Sequence, residues 1–389
     1  MTVFETGYYK INRVSLCLCG VWPEQNSFQA YIARFLLWGG MATIMIPEYV
    51  CLYKAWVYGS FMEDFLPCIP TQLLITAVAA KYVVFAIYKK TFQDTIDKMR
   101  VDFEFFGNTP ARKILKEYAD KGRTRTIFYG CFLFMILTTF VVPAFLPVVL
   151  DKFRPLNETR IRLKLLDTDY GVDPDEYFVL ITIHGYIAST FLVLMLWSVD
   201  SFIMIMVQHC CSLFVIVGFT LKKLDQGNKK HTEKFENDVL INALQVHQQA
   251  IEFADFIEAS LKNMYGIVII ENMLAISITG LETIKQMDQT DQAMRFAAFA
   301  FGQMVHLFFN SLPGQELVDH STGLFDLVYD CQWESLSIKS KKKILFILMR
   351  SAKPKSLTAG GFYELNLQHC GAVLKTSMSY LTVLSSMRQ

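Results

Sequence analysis

Charge is scarce in this sequence, and what there is cancels. Only 19% of the 389 residues are Asp, Glu, Lys or Arg, and the formal net charge is +1. That leaves no basic field for nucleic acid and no acidic one for basic substrates, so neither partner is expected. Catalytic motifs are missing as well. There is no His-Glu-x-x-His, no Gly-x-Ser-x-Gly and no glycine-rich phosphate loop, the spacings that set up zinc hydrolysis, an activated serine or a phosphate cradle. His209, Cys210 and Cys211 are adjacent but lack the spaced partners of a metal site. The nine cysteines form no pair of CxxC motifs, so buried thiols are expected, with Cys210 and Cys211 the candidates for palmitoylation. No enzyme, cofactor or metal is therefore expected. The opening MTVFETGYYKINRV lacks the basic, apolar and small-residue sections of a signal peptide, so the first membrane span is expected to insert the chain.

What is abundant is apolar. Hydrophobic residues make up 53% of the chain and its mean hydropathy is +0.31, more than a soluble fold of this size hides. A bilayer core needs about 20 apolar residues in a helix. Runs of that kind occupy 31–53, 67–87, 127–150, 177–207, 264–281 and 295–312. A seventh, 371–387, is short and carries Thr376, Ser377, Ser379, Thr382, Ser385 and Ser386, so it needs something polar beside it. The pattern predicts an all-α polytopic membrane protein with seven transmembrane helices. The fourth run stays helical in character through Phe219, which sends it beyond the bilayer. Val239, Leu240, Leu244, Val246, Ala250, Phe253, Ala254 and Ile257 recur at helical steps among charges, predicting an amphipathic helix in water between the fourth and fifth runs. A further soluble helix is predicted over 331–350. Of charges within the runs, Glu48 is expected to reach the interface, Glu271 to need a partner, and Asp200 to lie near the inner boundary.

Topology follows from the basic residues. Of the 37 Lys and Arg, 26 fall on the side of the N-terminus, Arg34 at the edge of the first run included, and 8 on the other, with Lys81, Arg295 and Lys375 inside runs. The positive-inside rule then places the N-terminus in the cytoplasm and, after seven spans, the C-terminus outside. The one Asn-x-Ser/Thr acceptor, Asn157-Glu158-Thr159, falls in an outer loop on this count, where glycosylation is possible. G-protein-coupled receptors run the other way, and their Asp-Arg-Tyr and Asn-Pro-x-x-Tyr motifs are absent. A receptor acting through a G protein and a membrane transporter are the alternatives; the two halves of the chain show no mutual resemblance of the kind that inverted repeats produce.

The C-terminal stretch is distinctive. It holds Trp333, the basic run 341–343, Met349-Arg350-Ser351, then Lys353-Pro354-x-x-Leu357-Thr358-Ala359-Gly360, Phe362, Leu365-Asn366-Leu367 and finally Lys375-Thr376-Ser377-x-Ser379-Tyr380. This ordered set resembles the C-terminal signature of insect odorant receptors. Glu334 and Gly361 depart from it, where relatives carry an aromatic and a larger residue. The resemblance is to a ligand-tuning subunit, since the second cytoplasmic loop lacks the expansion of the co-receptor. It implies a tetrameric cation channel in the plasma membrane of sensory neurons, built with the odorant receptor co-receptor and opened by a small volatile odorant. It further implies that 331–389 supplies a cytoplasmic anchor helix and a pore-lining last helix, and that 1–330 supplies the other six spans and the odorant pocket.

In the last helix Thr376, Ser379, Tyr380, Val383 and Met387 fall on one face. Hydroxyls below and apolar side chains above suit a wetted path with a hydrophobic gate, which the resemblance places at Val383 and Met387; an ordinary packed helix is the other reading. The family's pocket lies among the second, third, fourth and sixth spans. Their outer halves offer Leu73 and Leu74; Leu137, Phe140, Val141 and Ala144; Ile181, His184, Gly185 and Ala188; and Phe296, Phe299 and Ala300. His184 could hydrogen-bond an ester, alcohol or carbonyl, or be satisfied by a backbone carbonyl, Thr182 or Tyr186.

Overall fold

The computed structural model describes residues 3–5, 7–59, 61–154, 160, 162, 164–224 and 232–386. Over these residues it is all-α apart from one hairpin of two two-residue strands. In chain order the helices are α1 (Lys10–Leu18), α2 (Ser27–Tyr58), α3 (Ile69–Ile87), α4 (Lys89–Phe105), α5 (Ala111–Phe153), α6 (Phe178–Leu221), α7 (Glu233–Lys285), α8 (Thr290–Tyr329), α9 (Ile338–Ser351) and α10 (Leu367–Ser386). Strands β1 (Thr358–Ala359) and β2 (Tyr363–Glu364) lie just before α10.

The helix starts follow from local chemistry. Asn26 caps α2 by accepting from Phe28 N at 2.9 Å, Thr232 caps α7, and Ser337 caps α9. Each supplies a partner to an amide that the first turn cannot bond. Glu233 and Glu236 in the first turn of α7 also suit its positive end.

Among the described residues, five helical segments are long and apolar enough to cross a membrane: Ser27–Tyr58, Glu63–Ile87, Ala111–Phe153, Phe178–Leu224 and Glu233–Lys285. The two other expected spans, α8 and α10, are more polar. In α8 the polar side chains of Gln303, His306 and Asn310 are buried, so they face protein. The chain is a multi-pass membrane protein. The third, fourth and sixth apolar runs are only parts of helices that continue past them. The amphipathic stretch and the fifth run, expected as separate helices, are one 53-residue helix, α7. A change from amphipathic to uniformly apolar pattern needs no break in the backbone.

Helix α6 is the central post, packed against α1, α2, α3, α5, α7 and α8. Every residue from 198 to 214 is buried, as expected of a helix that is apolar all round. Cys210 and Cys211 are fully buried there, which withholds both from acylation.

The signature segment docks on α7. Lys355 Nζ meets Asp255 at 2.6 and 2.8 Å, Thr358 N donates to Glu258 at 2.7 Å, and Gly360 N donates to Lys262 O at 2.7 Å. The acceptors 255, 258 and 262 sit at three- and four-residue steps on one face of α7. Gly360 and Gly361 have φ of +67° and +83°, the left-handed region that glycine enters without strain.

Candidate ligand cavity and its polar floor

Near the start of α6 the helices part around a mainly apolar cavity of about 150 Å³. Helix α3 and the turn before it contribute Pro67, Pro70, Thr71 and Leu74; α5 contributes Leu133, Ile136, Leu137 and Phe140; α6 contributes Ser189, Leu192, Val193 and Leu196. Helix α8 adds Arg295, Phe296, Phe299, Gly302, Gln303 and His306, and α7 adds Thr279. The rings of Phe140 and Phe299 meet edge to face with centroids 6.3 Å apart, a favoured aromatic arrangement.

A loop closes the top. Leu165, Leu166 and Asp167, from the connection between α5 and α6, lie over the cavity. Arg295 holds them down: its guanidinium bonds Asp167 Oδ2 at 2.9 Å and Lys164 O at 3.0 Å and lies 4.8 Å from the Phe296 ring centroid. Leu165 and Leu166 also line a second cavity of about 270 Å³ with Ile44, Cys51, Tyr170, Ile181 and Gly185. The two leucines are thus a partition between the spaces.

The sequence-derived residues separate into groups. Leu74, Leu137, Phe140, Phe296 and Phe299 come together on the first cavity. Ile181 and Gly185 line the second. Ala144, Ala188 and Ala300 are buried and Val141 is half-buried, without lining either. Leu73 packs instead on Leu66, Ile278, Leu281 and Leu381. His184 lies outside both cavities, and both its ring nitrogens have protein partners: Nε2 is 2.8 Å from Thr43 Oγ1 and Nδ1 is 2.7 Å from Tyr170 OH. The Thr43 hydroxyl already donates to Gly40 O at 2.8 Å, so His184 Nε2–H donates to Thr43 and Nδ1 accepts from Tyr170. These partners, rather than Thr182 or Tyr186, satisfy it. Sequence reasoning missed the roof leucines and the deep polar wall of Gln303 and His306. Helix phase from Phe296 and Phe299 would have reached Gln303; a loop has no phase from which to find the roof.

Below the cavity lies a buried polar network. Lys81 on α3 forms an ion pair with Asp200 on α6. Lys81 Nζ is also 3.0 Å from His306 Nε2, and Asp200 Oδ2 accepts from Tyr129 OH at 3.0 Å and lies 3.3 Å from His306 Nε2. His306 Nδ1 sits 3.3 Å from Asn272 Oδ1, and Asn272 donates to Glu271 at 3.1 Å and to Val268 O at 2.7 Å. Five helices are tied at one level, and Glu271 has its partner. Asp200 is well inside the bundle because Lys81 compensates it there, as a buried charge requires. Glu48 likewise is buried rather than interfacial, taking a 3.2 Å hydrogen bond from Gln72.

Helix α10 packs on α7 through Val373, Ser377 and Leu381, and Ser277 Oγ donates to Ser377 O at 3.0 Å. Thr376, Ser379, Tyr380 and Val383 lie on its uncovered side. Met387 and Asn157 lie outside the described residues.

The fold has solved counterparts. The insect olfactory receptor OR5 from Machilis hrabei in complex with eugenol superimposes with a TM-score of 0.77 over 97% of both chains, at 16% identity. Among curated proteins, odorant receptor 9a of Drosophila melanogaster is 22% identical over 361 residues, covering 90% of this chain and 88% of that receptor. Odorant receptor Or2 of Anopheles gambiae is 20% identical over 365 residues, covering 88% and 89%. All of these are receptors and none is an enzyme. The family described as 7tm Odorant receptor matches residues 62–378, and with that match over most of its length the chain belongs to the insect odorant receptor family.

Proposed function

We propose that this chain is the odour-binding subunit of a tetrameric, ligand-gated, non-selective cation channel in the plasma membrane, assembled with the odorant receptor co-receptor. The observation that carries the reading is the roofed apolar cavity, whose size and lining suit a small volatile molecule. A structural neighbour of this fold is described in complex with eugenol. The binding residues are then those of the cavity wall, Leu74, Leu137, Phe140, Phe296 and Phe299 among them.

The N-terminus is cytoplasmic in this proposal, the C-terminus is outside, and Asn157 is open to glycosylation. Residues 331–389 provide the anchor and the pore. Exposed Leu345, Phe346 and Met349 on α9 form an apolar face that neighbouring subunits would cover. The uncovered face of α10 lines the pore, with Thr376, Ser379 and Tyr380 wetted and Val383 and Met387 at a gate closed by dewetting. Odorant opens the gate by fitting the cavity better when α8 and α10 have moved outward, since a ligand shifts an equilibrium only by its differential affinity for two states.

Excised patches from cells expressing the chain with and without an insect co-receptor test this. Cation current that follows volatile ligand, needs both subunits and needs no nucleotide is the expected result. Silence with both chains at the surface, together with a second-messenger response, would replace the channel with G-protein signalling. In the same cells Phe140→Trp and Phe299→Ala should change the ligand spectrum with surface assembly intact; unchanged dose-response curves would remove those positions from the site.

A further inference from the structure

We propose that Cys51 and Cys68 are joined by a disulfide bond, closing the connection between α2 and α3 on the outer side of the membrane. The proposal rests on the orientation given above, with the N-terminus in the cytoplasm, and adds a covalent modification to it. The two thiols are already together: Sγ of Cys51 lies 4.0 Å from Sγ of Cys68, across 17 positions of sequence. A disulfide needs about 2 Å, and rotation about a Cα–Cβ bond carries a sulfur that far. The contact belongs to a register. One turn earlier in α2, Glu48 accepts from Gln72 Nε2 at 3.2 Å, so 48 faces 72 and 51 faces 68 as the chain runs out along one element and back along the other.

Compartment supplies the chemistry. In this orientation α2 ends outside, so both sulfurs pass through an oxidising lumen and then face an oxidising exterior, where disulfides form and persist. Cys17, Cys19 and Cys331 fall on the cytoplasmic side, where thiols stay reduced. Cys51 is half-buried on the wall of the second cavity, whereas Cys68 is buried and donates to Asp64 O at 3.4 Å. Cys51 is therefore the sulfur that an incoming disulfide meets first. The oxidant is a disulfide, R–S–S–R′, carried by a thiol–disulfide oxidoreductase or by glutathione. The Cys51 thiolate attacks one of its sulfurs and expels R′S⁻, which takes up the proton that Cys51 lost. The Cys68 thiolate then attacks the Cys51 sulfur and expels RS⁻, which takes up the second proton. Two protein thiols are oxidised and one disulfide is reduced to two thiols, so atoms and electrons balance. Pro67 and Pro70, on either side of Cys68, wall the first cavity, so the bond also pins that stretch of wall to α2.

The test uses the full wild-type chain from the surface of cultured cells, treated with N-ethylmaleimide before lysis and again on denaturation, then digested with trypsin without reductant. Cleavage after Arg34, Lys54 and Lys81 gives peptides 35–54 and 55–81, each with a single cysteine. The expected result is one linked species, lighter by two hydrogens than the two peptides together, that separates on treatment with a phosphine. Cys68→Ser should return 35–54 as a single alkylated peptide. Recovery of both wild-type peptides as alkylated thiols overturns the proposal, and so does linkage of either one to a different cysteine. A tag on the N-terminus, stained in intact and in permeabilised cells, separates the two possible failures. Staining only after permeabilisation, with both thiols alkylated, sinks the disulfide and keeps the orientation; staining in intact cells sinks the orientation and the proposal with it. Linked peptides in cells that give no ligand-gated current leave the disulfide standing and sink the channel reading alone.

Discussion

The two ends of α6 live in different surroundings. Toward its start, Leu180, Ile183 and Ile187 are exposed, while Ser189, Leu192 and Val193 border the cavity. From 198 to 214 nothing is exposed, and α3, α5, α7 and α8 close around it. The half of the bundle around the start of α6 holds empty volume; the other half holds a packed core crossed by a charged network. The difference teaches where each requirement is met. A ligand site needs space and walls that tolerate change, whereas a close-packed interior transmits displacement because it cannot absorb it.

The strongest way to break the contrast is at the charge pair. Asp200→Asn or Lys81→Met leaves one charge without its partner among five helices, at a cost of about 3–5 kcal/mol. Surface biotinylation and size-exclusion profiles should show loss of folded receptor, with partial recovery in the double mutant. Normal delivery of either single mutant would mean that the packed half is not the rigid element. Next in size is truncation on either side of the boundary. Ile205→Ala, at a fully buried site where Gly122 lies against the side chain, should destabilise by about 2–5 kcal/mol. Ile136→Ala, on the cavity wall, should cost well under half of that and enlarge the ligand range, as thermal unfolding in detergent would register.

A third test lies in the amphipathic part of α7, outside its apolar stretch. His247 is buried there beside the ring of Phe214. Burial first, and then the positive charges of Arg350 and Lys355, push its pKa down to about 4. The unfolded chain therefore takes up this proton before the folded one does. Stability from this site is level above about pH 6.5 and falls as pH drops from there toward 4, by about 1 kcal/mol at pH 5.5. His247→Gln should flatten that part of a pH–stability curve, and an unchanged curve would assign the acid sensitivity elsewhere. The smallest effect belongs to the roof. Arg295 and Asp167 are partly exposed, and pairs of that kind contribute about 0–1 kcal/mol. Asp167→Asn should speed ligand release by a few-fold in washout recordings and leave stability alone.

Much of the fold could be read from the sequence because apolar runs report membrane depth directly. The overrun of α6 and the C-terminal signature were both visible. Half the cavity wall was visible too, through helix phase at Leu137, Phe140, Phe296 and Phe299. What stayed hidden depends on contacts between distant parts of the chain. Lys81 and Asp200 are 119 positions apart, and no local pattern pairs them. His184 found Thr43 and Tyr170, on another helix and a loop, where reasoning from neighbours on its own helix pointed to Thr182 and Tyr186. The signature itself was recognisable as a string, but its meaning as a clasp on 255, 258 and 262 of α7 came only with the fold.

Helix α7 has 53 residues without interruption, so at the usual rise it is a rod of about 80 Å. Its middle is gripped by the signature segment, farther along it carries Asn272 of the polar network, and beyond that Ser277 touches α10. Such a rod is a lever. A tilt of only about 3° about one end moves the other by roughly 4 Å, the width of a side chain, so a displacement at the cavity floor too small to disturb local packing is enlarged at the far end of α7.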